Sequence, residues 1–308
     1  MEEYQSLSAS ADGRRLVATV ANPVANLWKV PITSGISEES AARRVNVPAA
    51  YATWGRYGAD GSILYLSGKG AGGGLWTWKD DGKNGAAAPL WSSATERLTS
   101  GAAPSPDGKS LAFALRRNGR NVLNVSSSEG VGVRPLAESL DLRSTPSWSP
   151  DGQWIAVTAE TSEGNRIFKV SLKTGEPERL TEKPSTNALW SPDGQRIAYY
   201  DWSAGSATEP ILAVRPDKSA ASMPSGLAYR GTGDGYRFMP DGKSIVILQG
   251  QFREQDFWLV NLDTGERRQL TRLKAGYSVR NFDVSADGKE ILFDRVQENS
   301  DIVLIDRK

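Results

Sequence analysis

Hydrophobic residues in this chain come in short runs that alternate with polar ones, and nowhere do they recur with the 3.6-residue period of a helix. The stretch from Ser144 to Thr181 shows the pattern. A first run around Pro146 to Ser149 meets Pro150-Asp151-Gly152, where proline presets φ at about −65° and glycine accepts the positive φ of a tight hairpin. Ile155-Ala156-Val157 predicts a second strand and Ile167 to Val170 a third, with the polar stretch Glu160 to Asn165 between them. Thr174-Gly175-Glu176 turns the chain into a fourth strand ending at Arg179-Leu180-Thr181.

The same unit repeats along the chain. Asp-Gly pairs stand at Asp12, Asp60, Asp107, Asp151, Asp193, Asp241 and Asp287, with gaps of 48, 47, 44, 42, 48 and 46 residues. Three or four positions after each Asp comes an aliphatic residue that opens a second strand: Leu16, Ile63, Leu111, Ile155, Ile197, Ile245 and Ile291. Fourth strands are expected to end at Arg97-Leu98-Thr99, Arg179-Leu180-Thr181 and Gln269-Leu270-Thr271, whereas near Ser222 to Leu227 none is clear. A period in the forties, with each unit too small to bury its own apolar face, belongs to a radial repeat. The expectation is an all-β, seven-bladed β-propeller of four-stranded antiparallel blades, with six blades and one stray unit as the alternative. A single domain spans residues 1–308, and because the last unit lacks its own fourth strand, the chain is expected to be the C-terminal part of a longer protein.

Composition narrows the chemistry. The 37 basic and 36 acidic residues give a net charge of +1, which offers no global field for nucleic acid or an anionic membrane. There is no cysteine and no histidine, so Ser-His-Asp and Cys-His catalysis and His- or Cys-based metal sites cannot be assembled from this chain. The start lacks the pattern of a secretory signal, and no apolar run is long enough to span a bilayer. No membrane insertion, no cofactor and a monomer are expected. The compartment reads as cytoplasmic if the chain is complete as written, and as extracytoplasmic or periplasmic if it is cut from a membrane receptor.

The SPDG units with their following strands, Ser105 to Phe113, Ser149 to Val157 and Ser191 to Tyr199, resemble the repeats of the TolB-type propeller family over essentially the whole chain. The opening Tyr4 to Ser8 through Asn26-Leu27-Trp28, and the closing Ser300 to Ile305, resemble C-terminal propellers of bacterial receptor-like serine/threonine kinases and winged-helix regulators. That resemblance implies a sensor or interaction domain that is not itself catalytic, binding a protein or peptide. The family's type member is six-bladed with an extra N-terminal domain, and neither feature is expected from this sequence.

In an antiparallel blade the Asp-Gly turns lie on one face, and the second-to-third-strand and inter-blade connections lie on the other, where the long loops fall. On that second face Arg143, Arg237 and Arg280 lie near the beginnings of first strands, accompanied by Tyr277 and Asp234, with Trp202 in the loop Asp201 to Pro210. Guanidinium forks bind carboxylate or phosphate bidentately, so these six residues are the candidate ligand site and an anionic peptide or small ligand the candidate occupant. The alternative is a carboxylate-dependent glycan hydrolase or lyase using acids among Asp234, Asp201 and Glu163, which requires two of them converging at the channel mouth. The seven Asp residues are read as caps of their own turns. Trp54, Trp148 and Trp190 occupy repeat-equivalent places and are read as inter-blade packing.

Overall fold

The computed structural model describes residues 3–12, 14–21, 23–68, 73–83, 85–201, 209–229, 233–251 and 253–306. Within them the strands form six sheets that each contain a four-stranded antiparallel path. In the first blade the strands are Ala52–Tyr57, Ile63–Ser67, Gly74–Lys79 and Ala86–Ser92. The next four blades follow in chain order, with inner strands at Ala103–Pro104, Ser147–Trp148, Ser185–Trp190 and Tyr236–Phe238. The sixth is built from both ends of the chain. Its inner strands are Phe282–Val284 and Glu290–Gln297, and its outer strands Val24–Pro31 and Arg43–Arg44.

A seventh four-stranded blade is not found among the described residues. The hairpin carrying Asp12, Glu3–Ala9 and Arg15–Ala21, joins Ser300–Asp306 in a separate three-stranded sheet. The pairing explains how. Val24 lies opposite Gln297 and Ala21 opposite Ser300, so the ladder between the two middle strands of the sixth blade continues, in unchanged register, into this sheet. The first repeat unit therefore splits: its last two strands finish the sixth blade, while its first two extend a ribbon beyond it. The fourth strand that the last unit lacked is thus supplied by Arg43–Arg44, and its third place is taken by Val24–Pro31. Burial marks the same split. Ile63, Leu111, Ile155, Ile197, Ile245 and Ile291 are all buried, but Leu16, their counterpart in the ribbon, is only partly so.

Apolar clusters join each blade to the next and close the ring. Leu27 and Leu292 of the sixth blade pack with Ile63 and Tyr65 of the first, and Leu64 and Leu66 of the first with Phe113 and Leu115 of the second. Ala112 and Val125 then meet Ile155 and Val157, and Ile167 meets Trp190 and Ile197. One larger cluster spans blades four to six. Middle strands are buried on both faces for this reason, which is why they read as continuous apolar runs. Trp148 and Trp190 are buried in these interfaces, and the indole of Trp148 donates to the Ala103 carbonyl at 2.9 Å.

At all seven Asp-Gly turns the aspartate Oδ1 accepts the N–H two residues on, at 2.9 to 3.1 Å. Two fourth strands differ from expectation. Arg97–Leu98 pairs with Leu115 and Arg116 on the inner side of the second blade, leaving Ala86–Ser92 as the outer strand of the first. In the fourth blade the outer strand is Ala220–Ala221, too short to carry a pattern.

Candidate functional site

The inner strands put one residue of each blade into the wall of an axial channel. Counting four positions back from the Asp of each turn gives Arg56, Ala103, Ser147, Leu189, Arg237 and Asp283, and all six line a cavity of about 240 Å³. Positions six or seven back reach the same axis further along. There Trp54, Ser100, Ser144, Asn187, Asp234 and Asn281, one from each blade, line a wider chamber of about 400 Å³. Thr145, Asn187 and Asp234 border both spaces, so the two lie side by side in one opening of the ring. The chamber is the mouth on the face of the second-to-third-strand loops, because Asn165 and Glu209, at the starts of third strands just after those loops, also line it.

Two inner strands are bulged at the mouth. The register shifts between Thr53 and Arg56 and between Thr186 and Leu189, with Trp54 at φ 51° and Asn187 at φ 62°. A bulky side chain in the left-handed region is uncommon and strained, and bulges re-aim side chains next to sites. Trp54 therefore lines the mouth while also packing against the cluster between blades one and two, as expected. Its N–H donates to Asp294 Oδ2 at 3.3 Å, and Asp294 Oδ1 also accepts the N–H groups of Arg280 and Asn281 at 2.9 and 3.0 Å. Burial is the larger influence on Asp294 and pushes its carboxyl upward against these donors.

In the smaller space charge is confined to one side, on blades five, six and one. Asp234 Oδ2 is shared by the guanidinium of Arg56 and by Arg237 Nη2, the latter at 2.6 Å. Arg56 also donates to the Phe282 carbonyl at 2.7 Å, and Asp283 accepts the Tyr57 N–H at 2.9 Å. Burial works to raise the Asp234 carboxyl, but Arg237 and Arg56 outweigh it and hold it below the usual carboxylate range. Behind the mouth, Tyr200 stacks on Tyr229 and meets Tyr236 edge-on, and its hydroxyl accepts the Gly235 N–H at 3.0 Å.

Of the six expected ligand residues, the structure brings Arg143, Asp234 and Arg237 to this opening. Arg280 and Tyr277 are not among the residues lining either space. Arg280 sits on the rim, paired with Glu298 at 2.8 Å, and Tyr277 covers the buried guanidinium of Arg295 at 5.3 Å. Trp202 lies outside the described residues. The arginines are occupied as well: Arg143 is paired with Asp141 at 3.0 Å and with Glu160, and Arg237 with Asp234. An anion at the mouth would have to displace these acids. The acids of the glycan-cleaving alternative do not converge either, since Glu163 is on the rim with Arg166 and Arg179, and Asp234 is locked between two guanidiniums. Arg56, Asp283, Asn281 and Glu209 were missed, although counting back from the turns would have reached the first three.

A closed set of antiparallel blades around an axial opening defines a β-propeller. Residues 86–215 match the family described as TolB beta propeller domain. The structure of a putative TolB from Agrobacterium tumefaciens superposes with a TM-score of 0.69 at 20% identity, over 89% of this chain and 99% of the other. The chain has the β-propeller fold, and residues 86–215 carry its likeness to TolB. Sequence relatives include the uncharacterized peptidase YuxL of Bacillus subtilis, 30% identical over 49% of this chain and 22% of its own length, and dipeptidyl-peptidase 5 of Porphyromonas gingivalis, 28% identical over 44% and 22%. A Mycobacterium tuberculosis puromycin-hydrolyzing peptidase shares the fold at a TM-score of 0.57 and 14% identity, over 94% of this chain and 57% of the other. None of these matches carries the narrower resemblance to kinase and regulator propellers.

The peptidase relatives correct the expectation of a non-catalytic sensor or scaffold. That expectation rested on the resemblance to kinase and regulator propellers and on the composition of this chain, which lacks histidine and cysteine. The chain spans only 22% of the length of each of these two relatives, so its composition does not speak for the remainder of such a protein.

Proposed function

We propose that this chain is the propeller part of a peptidase, and that its axial opening receives a peptide segment. The observation that carries this reading is the opening itself, a chamber of about 400 Å³ that narrows into a channel lined by the inner strands of all six blades. Concave sites of a few hundred Å³ with a few placed polar groups are the usual form of a ligand site. The peptidase names of the sequence relatives supply the substrate class, and the TolB likeness supports a protein or peptide partner. The chemistry of hydrolysis is assigned to groups beyond this chain, because no nucleophile-histidine pair can be formed within it.

Fluorescence anisotropy with labelled short peptides tests the reading. Peptides are expected to bind, and Ser144→Trp, which fills the mouth, to weaken binding about tenfold. Hydrolysis of the same peptides by the intact gene product is the second expected result. Absence of binding, or binding indifferent to the filled mouth, overturns the proposal.

A further inference from the structure

We infer that the mouth chamber holds a primary ammonium group, accepted by Asn281, Glu209 and Asp234. The inference deepens the peptide reading of this chamber by naming the group on the peptide that is recognised.

Among the described residues, three acceptors on residues lining this cavity lack donors. Asn281 is 4% exposed, and its Nδ2 donates to Asp294 Oδ2 at 3.0 Å. A carboxylate takes the amide nitrogen rather than the amide oxygen, so this bond fixes the orientation of the group. The oxygen Oδ1 is then left buried with no hydrogen-bond partner, on a residue that lines the chamber. A buried polar atom without a partner in a folded protein points to a donor supplied from outside. Glu209 begins the strand Glu209–Val214 and lines the same chamber, and among the described residues its carboxylate has neither an ion pair nor a side-chain hydrogen bond. Burial raises this carboxyl, as it does when no cation offsets the loss of water. Asp234 presents the third acceptor: both guanidiniums use Oδ2, and Oδ1 accepts nothing from the described residues.

The basic residue at this mouth does not satisfy them. Arg143 is drawn to Asp141 and Glu160. What fits is a small group with several donors, no acceptor and a positive charge, and –NH₃⁺ is that group. A hard divalent cation fits less well, since calcium takes six to eight oxygen ligands. Trp54 lines the chamber too, and an indole face favours an ammonium over a neutral amine. On a peptide the group has two sources, the amino terminus and a lysine side chain.

Isothermal titration separates the sources and the two levels of the proposal. The probes are propylammonium chloride, Ala-Ala-Ala-amide, its N-acetylated form and N-acetyl-Ala-Lys-Ala-amide, with calcium chloride as a competitor. Propylammonium is expected to bind, the free amino terminus or the lysine peptide to bind at least tenfold more tightly than the acetylated trialanine, and Glu209→Gln to lower each ammonium affinity about tenfold. Which of the two amine-bearing peptides binds identifies the source. Circular dichroism of Glu209→Gln checks that the half-buried site still folds. If the acetylated trialanine binds as tightly as the free one, or if calcium binds and propylammonium does not, the ammonium inference fails while the peptide reading stands. If propylammonium binds through Glu209 but no peptide does, the inference stands and the peptide reading fails.

Discussion

Arg56 and Asp234 are 178 residues apart in the chain and meet as a buried ion pair across the channel wall. Arg56 belongs to the inner strand of the first blade, and Asp234 precedes that of the fifth, so the pair bridges the sixth blade, where the two ends of the chain are joined. Arg237 shares the same carboxylate oxygen. Neutralising that carboxylate leaves two guanidiniums out of water with half their charge unbalanced. Asp234→Asn is therefore expected to lower stability by about 3 kcal/mol, read as a shift of the urea midpoint at unchanged slope. An unshifted midpoint would mean the pair contributes nothing to holding the ring.

A second clasp secures the sixth blade from outside. Both terminal nitrogens, Nη1 and Nη2, of buried Arg295 donate to Glu39 at 2.7 Å, while its guanidinium covers Trp28 at 4.4 Å. Arg295 holds the Glu39 carboxyl below its ordinary range. Glu39 is 37% exposed in its side chain, which discounts the ion pair, and Glu39→Gln is expected to cost roughly 1–2 kcal/mol. Thermal melts of the variant at low and at high salt check this, with the larger loss expected at low salt.

Gly233 sits at φ +105°, where a Cβ would lie 2.0 Å from the Arg280 carbonyl oxygen. That contact is backbone, so it cannot yield as a flexible side chain would. Gly233→Ala is expected to destabilise by about 2 kcal/mol or more and to weaken peptide binding, because the Asp234 N–H is held by the same carbonyl at 2.9 Å. Retention of both stability and binding would place the mouth elsewhere.

Acid should loosen the turns. The Ser62 side-chain hydrogen bond, with the Ser62 backbone N–H, lowers Asp60 to about 2, and the serines two residues before Asp107, Asp151 and Asp287 lower those carboxyls in the same way. A folded-state pKa below the unfolded value of about 3.9 means that the contribution is complete above pH 4 and lost as pH falls toward 2. These groups are exposed, so each contribution is small. Asp60→Asn should flatten the fall of the melting temperature between pH 4 and 2, and an unchanged profile would count against this account.

Much of the fold was legible because its signals are local. A turn aspartate needs only the N–H two residues on, and an inner-strand residue keeps its distance from that turn, so Arg56, Arg237 and Asp283 share one offset. The same regularity misled at Asp12, whose turn has the same hydrogen bond but lies in a ribbon outside the ring. Nothing local distinguishes the two cases. The difference is only that Val24–Pro31 finds Glu290–Gln297 across nearly the whole chain.

By itself the sequence determined the all-β class, the hairpin turns and the exclusion of histidine and cysteine chemistry, since each follows from residue type and short-range spacing. The tertiary structure alone decided which repeat completes the last blade, that the mouth arginines are already paired with acids, and that Asn281, Glu209 and Asp234 border one chamber. The reason is physical: ring closure and buried pairing join residues from distant blades, and their partners are set by packing that no single repeat contains.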